Sequence, residues 1–143
     1  MDDPLQTGHP PYEIVLDVQD GEIDPLGHVN NVVDVRWIQD VAAAHWRALA
    51  SAAQQAATAW VVVRHEIDYK RPALRGDRVL ARTWVGSATR AVFERHTEIL
   101  RESDRGLLAR ARTLWCPVDP GSGRPRDVGA EVRRLFSSGG PTS

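Results

Sequence analysis

Two patterns of apolar residues follow one another in the first half of the chain. Apolar residues first occur at every second position, and later at every third or fourth position. From Tyr12 to Val18 apolar and polar residues alternate, which predicts a strand with one buried face. Between about Val32 and Gln55 a repeat at spacings of three and four predicts a helix of roughly six turns. The repeating positions are Ile38, Val41, His45, Leu49 and Ala53. The later part of this helix is rich in alanine, and small side chains let a sheet approach closely.

Four further strand patterns follow without another helix between them. They cover Trp60–Lys70, Arg78–Val85, Arg90–Leu100 and Leu107–Pro117. The expected turns between the last three are Gly86–Thr89 and Arg101–Gly106. Short connections imply antiparallel neighbours. The predicted fold class is α+β, with an antiparallel sheet of about five strands wrapped around one long central helix.

The two ends of the chain lack such patterns. Residues 1–10 predict a disordered lead-in, and the polar, glycine-containing residues 137–143 predict a disordered tail. Residues 11–136 are therefore expected to form a single domain. Within it, residues 117–128 predict a loop and Gly129–Phe136 a short terminal helix.

The composition of the chain limits the classes of protein to which it can belong. A chain of 143 residues with 42% hydrophobic and 26% charged residues suits one soluble globular domain. The formal charge of −1 argues against a general nucleic-acid binder. We find no run of about 18 apolar residues and no signal-peptide pattern, so no membrane association is expected. A single cysteine forbids an internal disulfide, and a cytoplasmic enzyme is the default expectation.

Residues 24–31 lie between the first strand pattern and the helix. Asp24, Pro25 and Gly27 occupy the first, second and fourth positions of a type I β-turn. Asn31 suits an N-cap, with Asp34 three residues later as a capping-box partner. A helix start offers unbonded N–H groups and partial positive charge to an oxygen that develops negative charge. A carboxylate and an oxyanion site would therefore lie in one short segment.

Three segments carry a resemblance to a known family. Residues 24–31 read Asp-Pro-Leu-Gly-His-Val-Asn-Asn, which resembles the Asp-x-x-Gly-His-Val-Asn-Asn signature of hotdog-fold acyl-CoA thioesterases of the 4-hydroxybenzoyl-CoA thioesterase type. Residues 67–77 resemble the end of that family's second strand with its turn, and residues 115–125 its last strand and closing loop. The similarity spans about residues 12–128.

The resemblance implies hydrolysis of an acyl-CoA thioester. Asp24 would act as general base or nucleophile, and the backbone amide of Asn31 would polarise the carbonyl. His28 could polarise the carbonyl or position the acid, or it could only fix the turn against the helix. No metal and no cofactor beyond the coenzyme A of the substrate is expected. Hotdog domains of this type pair side by side, which implies a homodimer and possibly a homotetramer.

Two features of the substrate site stay open. The family usually has an aromatic residue at the position of Asp34. Asp34 is better explained as an acid at the start of the helix than as a second catalytic carboxylate. Lys70, Arg71, Arg75 and Arg90 occur at strand ends and turns, where they could hold the phosphates of coenzyme A or only guard a solvated edge.

Two other functions compete with hydrolysis. A hotdog domain can bind acyl-CoA without turnover, and a hydratase or dehydratase on the same fold would use a histidine and an acid differently. Motifs of other enzyme classes are missing: there is no Walker loop, Rossmann glycine pattern or nucleophile elbow, and His65-Glu66 lacks the second histidine of a zinc protease.

Overall fold

The computed structural model describes residues 10–136. Five strands and three α-helices follow one another along the chain, with a 3₁₀ turn at Asp20–Glu22 between the first strand and the first helix. In order they are β1 (Tyr12–Asp17), α1 (Asn31–Leu49), α2 (Ala52–Ala57), β2 (Ala59–Tyr69), β3 (Arg78–Ala88), β4 (Phe93–Arg101), β5 (Leu107–Val118) and α3 (Gly129–Phe136). Apart from Pro10, the predicted lead-in and tail lie outside the described residues.

The strands form one antiparallel sheet in the order β1-β3-β4-β5-β2. The predicted five-stranded sheet around one long helix is confirmed. The short connections imply antiparallel neighbours, whereas the strand order of the resembled family implies that hairpin geometry is broken somewhere. The break lies between β2 and β3, because β2 pairs with β5 at the edge opposite β1. The connection over residues 70–77 therefore crosses β5 and β4. Alternation of apolar residues defines the faces of a strand but does not determine which strand lies beside it.

The core lies between α1 and the concave face of the sheet. Trp37, Ile38 and Val41 of α1 are fully buried. They pack against small and branched side chains of the three central strands, namely Val79, Ala81, Ile99, Ala109 and Ala111. The alanines let the helix lie close to the sheet. The sheet can therefore wrap around one side of α1, which has 19 residues and is about 28 Å long.

The predicted helix over residues 32–55 is divided into two. α1 ends at Leu49, Ala50 takes an extended conformation, and Ser51 caps α2 by accepting a hydrogen bond from the Gln54 N–H at 3.1 Å. Ala53, predicted to face the core, is exposed on α2. A serine that caps a new helix competes with continuation of the old one, and the apolar spacing does not reveal this.

The β3–β4 hairpin also differs from its prediction. The turn lies at residues 89–92, where Thr89 Oγ1 accepts a hydrogen bond from the Val92 N–H at 3.1 Å, instead of at Gly86–Thr89. Gly86 stands within β3 at an irregular part of the pairing. A Cβ atom there would come within 2.8 Å of side-chain atoms of Glu94 and His96. Side chains of the neighbouring strand, and not a turn, therefore favour glycine at this position.

Candidate active site

The turn predicted at Asp24 is present and leads into α1. The Gly27 N–H donates to the Asp24 carbonyl at 2.9 Å, and the Asp24 N–H donates to the His28 carbonyl at 2.7 Å. Gly27 has a φ of 83°, a conformation that favours glycine. Ile23 and Val29 form an antiparallel bridge on either side. This small loop holds the signature segment in one conformation.

One oxygen of the Asp24 carboxylate fixes the loop. Oδ1 accepts hydrogen bonds from the backbone N–H groups of Leu26 at 2.9 Å and His28 at 3.1 Å. Within residues 10–136, the second oxygen, Oδ2, has no hydrogen-bond or ion-pair partner. The half-buried carboxylate is therefore held in place by one oxygen while the other is available to a ligand.

The start of α1 differs by one residue from its prediction. Asn30 is the N-cap, and its Oδ1 accepts from the Val32 N–H at 2.9 Å, while its carbonyl accepts from the Val33 N–H at 2.8 Å. The capping box of Asn31 and Asp34 is wrong, because Asn31 is already the first helical residue. No described residue accepts a hydrogen bond from the Asn31 N–H. This N–H, at the positive end of the helix dipole, can donate to a substrate oxygen.

Backbone hydrogen bonds tie the loop to the connection between β2 and β3. The Val29 N–H donates to the Ala73 carbonyl at 2.9 Å, and His28 forms a bridge with Leu74. The hydroxyl of Tyr69, at the end of β2, donates to the Asn31 carbonyl at 3.4 Å. The ring of His28 is half-buried and has no hydrogen-bond partner among residues 10–136. Its predicted role stays a prediction.

The burial of Asp34 is a feature of this site that was not predicted from the sequence. The residue is only 8% exposed. Burial raises the pKa of its carboxyl to about 6, although a hydrogen bond from its own backbone N–H acts in the opposite direction. Burial, and then the charge of Asp34, raises the pKa of the Tyr69 phenol. A second acid that titrates near neutral pH therefore lies at the start of α1.

A sequence signal for this burial exists. Asp34 precedes Ile38, Val41 and His45 by four, seven and eleven residues, so it belongs to the apolar stripe of α1. Extending that stripe backwards would have placed the carboxylate on the buried side.

The four predicted coenzyme-binding residues fall into two groups. Lys70 and Arg71 donate their backbone N–H groups to the Leu108 carbonyl, and Arg75 pairs with Asp20 at 2.6 Å, so these three lie in the connection beside the signature loop. Arg90 lies in the β3–β4 hairpin, where its Nε is 3.6 Å from Asp127. The length of β3, about 30 Å, separates this hairpin from the connection.

Apolar side chains surround the loop on its exposed side. Leu26 is 79% exposed, and Val32, Tyr69 and Leu74 are also exposed. Apolar groups that cluster in this way mark surfaces that a ligand or another protein chain covers. The candidate site therefore combines a fixed carboxylate, a free helix N–H and an apolar surface.

The sequence model of one protein family, described as the thioesterase-like superfamily, matches residues 18–136. The chain belongs to the thioesterase-like superfamily. The matched region includes the signature loop, α1 and all strands of the sheet except β1. No protein of curated function matches the chain significantly in sequence.

Several solved structures share the fold of this chain. One is a 1,4-dihydroxy-2-naphthoyl-CoA thioesterase from Synechocystis, with 19% identity, a TM-score of 0.75, and 89% of this chain and 96% of that one covered. A thioesterase from Thermus thermophilus, complexed with coenzyme A and Zn, has 23% identity, a TM-score of 0.78, and coverage of 95% and 98%. A DHNA-CoA thioesterase from Staphylococcus aureus has 15% identity, a TM-score of 0.79, and coverage of 90% and 89%. The predicted hotdog fold is confirmed.

Residues 10–136 contain neither a membrane-spanning helix nor a cluster of metal ligands. Among residues 10–136 no helix is long and apolar enough to cross a membrane. In the same part of the chain no three His, Cys, Asp or Glu side chains are grouped so that they could hold a metal ion.

Proposed function

We propose that this thioesterase-like protein hydrolyses an acyl-CoA thioester to a carboxylic acid and free coenzyme A. The observation that carries the proposal is the pairing of two groups in one loop. The Asp24 carboxylate is fixed by one oxygen, and the Asn31 N–H at the start of α1 has no acceptor among residues 10–136. Thioester hydrolysis needs a base or nucleophile on one side of the carbonyl and a hydrogen-bond donor for its oxygen.

Each group has a role in the reaction. As a base, Asp24 takes a proton from water while the water oxygen attacks the thioester carbon; as a nucleophile, its own oxygen attacks that carbon. In both cases negative charge develops on the carbonyl oxygen, where the Asn31 N–H and the helix dipole stabilise it. The carbon–sulfur bond then breaks, and the coenzyme A thiolate leaves and takes up a proton. His28 would position the thioester or polarise its carbonyl.

The basic residues suit the phosphates of coenzyme A. Lys70, Arg71 and Arg75 lie in the connection that is hydrogen-bonded to the signature loop, so a diphosphate there would leave the thioester near Asp24. Arg90 belongs to the opposite end of the same sheet, and it could reach the same coenzyme only from another subunit.

The first test compares the release of free thiol from a panel of acyl-CoA thioesters by the wild type and by Asp24→Asn. We expect the variant to lose about 100- to 10,000-fold in kcat, the range that general acid–base catalysis contributes. Asp40→Asn is a matched control, because Asp40 is an exposed carboxylate on α1. This control should keep wild-type activity.

Other outcomes would favour the competing functions. Binding of acyl-CoA without thiol release by the wild type would indicate a non-catalytic binding protein. Hydration of an enoyl-CoA without thiol release would indicate a hydratase. Equal thiol release by the wild type and Asp24→Asn would leave Asp24 with a role in the turn alone.

We also propose that the protein is a homodimer formed through β2. This strand has 11 residues and one sheet neighbour, and it exposes Val61, Val63 and Tyr69. Arg64, Glu66 and Asp68 of β2 are exposed as well, so the argument rests on its outer edge, where backbone N–H and C=O groups have no strand partner in the described chain and invite pairing with another chain. Antiparallel pairing of β2 with its copy around a two-fold axis would join the two sheets, and it would place the start of the partner's β2 beside Tyr69 at the end of this strand.

Substitution of one exposed valine on each edge of the sheet tests this arrangement. We expect Val63→Lys to shift the mass measured by light scattering from dimer to monomer and to reduce activity. Val15→Lys is the matched control, because Val15 is 42% exposed on the opposite edge strand, β1. Dissociation by Val15→Lys but not by Val63→Lys would contradict pairing through β2. The same measurement distinguishes a dimer from a tetramer.

A further inference from the structure

The carboxylate of Asp34, on α1, is buried without a cationic partner. The residue is 8% exposed, and no lysine, arginine or histidine among residues 10–136 forms an ion pair with it. Within the same part of the chain, its carboxylate accepts a hydrogen bond from its own backbone N–H and from no other group. With a pKa of about 6, the carboxyl carries a charge at neutral pH. The start of α1 therefore contains a buried anion whose counter-ion is missing from the described residues.

Asp34 lies beside the N–H group that is proposed to bind the thioester oxygen. It follows Asn31 by three residues, which places it about 4.5 Å further along the helix and next to Asn31 on the helix surface. Helical side chains lean toward the N-terminus, so the carboxylate lies over the first turn. Burial, and then the charge of Asp34, raises the pKa of the Tyr69 phenol, and the Tyr69 hydroxyl donates to the Asn31 carbonyl at 3.4 Å. The three residues therefore meet at the first turn of α1.

The start of β2 in the proposed dimer provides no cation for Asp34. The start of the partner's β2 would lie beside Tyr69, and residues 59–63 of that strand carry no charged side chain. Apolar residues exclude water, which makes an unpaired charge more costly and a paired charge stronger. The counter-ion of Asp34 is therefore expected to come with the ligand.

We propose that Asp34 selects acyl groups that carry an ammonium close to the thioester, as in an aminoacyl-CoA. This selection rests on the proposed hydrolysis, which places the thioester oxygen at the Asn31 N–H. An ammonium three bonds beyond the carbonyl carbon lies about 4 Å from it, which matches the rise from Asn31 to Asp34. The ammonium offers three N–H donors and the opposite charge, whereas a hydroxyl offers one donor and no charge.

Steady-state kinetics with three thioesters of equal chain length tests the proposal. The acyl group of β-alanyl-CoA ends in an ammonium, that of 3-hydroxypropionyl-CoA in a hydroxyl and that of butyryl-CoA in a methyl group. At about pH 7.5 we expect kcat/KM of the wild type to be at least about tenfold higher for β-alanyl-CoA than for butyryl-CoA, because a hydrogen bond to a charged group is worth about a factor of 10 to 100. The value for 3-hydroxypropionyl-CoA should lie between them.

Substitution of Asp34 locates the preference. Asp34→Asn keeps the shape of the side chain and removes its charge, so kcat/KM for β-alanyl-CoA and for butyryl-CoA should come within about threefold of each other. Asp40→Asn, at an exposed position of the same helix, should keep the wild-type ratio. Loss of folded protein lowers both values equally, so the ratio separates recognition from stability.

Binding of thioether analogues measures the same preference without turnover. S-(3-aminopropyl)-CoA and S-butyl-CoA have no carbonyl, so they are not hydrolysed. In calorimetric titrations, the aminopropyl compound should bind the wild type at least about tenfold more tightly than the butyl compound, and the two should bind Asp34→Asn within about threefold of each other.

The outcomes separate this selection from the proposed hydrolysis. An Asp34-dependent preference for the aminopropyl compound, with no thiol release from any thioester, would support the selection and contradict the hydrolysis. Thiol release from all three thioesters with equal kcat/KM, together with equal binding of the two thioethers, would support the hydrolysis and overturn the selection. The selection is also overturned if neither assay shows a preference that Asp34→Asn removes, or if 3-hydroxypropionyl-CoA is preferred to β-alanyl-CoA.

Discussion

The burial of Asp34 makes a quantitative prediction about stability and pH. Its pKa rises from 3.8 in a free chain to about 6 in the folded protein. A difference of about two pKa units corresponds to roughly 3 kcal/mol, because one unit is worth about 1.4 kcal/mol. Water that reaches a partly hydrated carboxylate screens its charge, which reduces the expected cost to about 1–2 kcal/mol. Asp34→Asn removes the charge while it keeps the shape of the side chain.

The sign follows from where the proton is bound. Below pH 3.8 the carboxyl is protonated in both the folded and the unfolded chain, so its charge costs nothing. Between pH 3.8 and about 6 the unfolded chain ionises first, so the free energy of unfolding falls as the pH rises. Above that window both states are ionised and the cost is constant. The stability of Asp34→Asn, relative to the wild type, should therefore rise with pH and then level off.

Urea unfolding followed by tryptophan fluorescence measures this difference. At about pH 7.5 we expect Asp34→Asn to be more stable by about 1–2 kcal/mol, and at about pH 4.5 by about a third of that gain. Both proteins must be compared at one protein concentration, because an oligomer gains stability with concentration. Asp40→Asn, exposed on the same helix, should change stability by less than about 0.5 kcal/mol. A less stable Asp34→Asn at neutral pH, or a gain that does not depend on pH, would refute this reasoning.

Three further substitutions have expected outcomes. Asn30→Ala removes the side-chain acceptor of the Val32 N–H and should lower the urea-unfolding free energy by about 1 kcal/mol; an unchanged value would contradict Asn30 as the cap. Trp37→Ala empties a fully buried position and should cost about 3–5 kcal/mol in the same assay, whereas a cost below about 1 kcal/mol would mean that α1 does not pack as described. Arg71→Gln should raise KM for acyl-CoA with kcat unchanged in steady-state kinetics, with Arg47→Gln at an exposed position of α1 as control; a fall in kcat alone would count against coenzyme binding.

Most of the secondary structure could be predicted because it depends on residues close together in the sequence. Alternation identified all five strands, and the spacing of three and four identified α1. The helix and turn boundaries that were predicted wrongly depend on hydrogen bonds from nearby side chains. Ser51 starts a new helix, Thr89 closes the β3–β4 turn, and Asn30 takes the cap in place of Asn31. Short polar side chains of this kind bond to nearby backbone at more than one position, so apolar spacing alone does not determine which residue is used.

The candidate site shows the same division. The loop with Asp24 and His28 is a continuous segment, so its turn could be predicted from its own residues. The Asn31 N–H has no acceptor among the described residues, which is consistent with its predicted role. The reason differs from the prediction, because Asn31 follows the N-cap and is not the N-cap itself. In the sequence, Arg75 and Arg90 are both arginines near predicted turns, so both were expected to bind coenzyme A. Only the course of β3 shows that they lie at opposite ends of the sheet.

The sequence by itself determined the five strands, α1 and α3, the α+β class, the signature loop and the family. The tertiary structure alone decided that β2 lies at the edge opposite β1, and how completely Asp34 and Arg95, both on inward faces, are removed from solvent. The physical reason is that periodicity shows which side of an element is turned inward, whereas desolvation of a charge depends on every element packed around it. Arg95 lies in register with Phe93, Thr97 and Ile99 on β4, so the pattern alone could place it on the inner face. That the cation faces a cavity lined by aromatic residues, without a carboxylate in the described chain, follows only from the packing of β4 against α1 and α3.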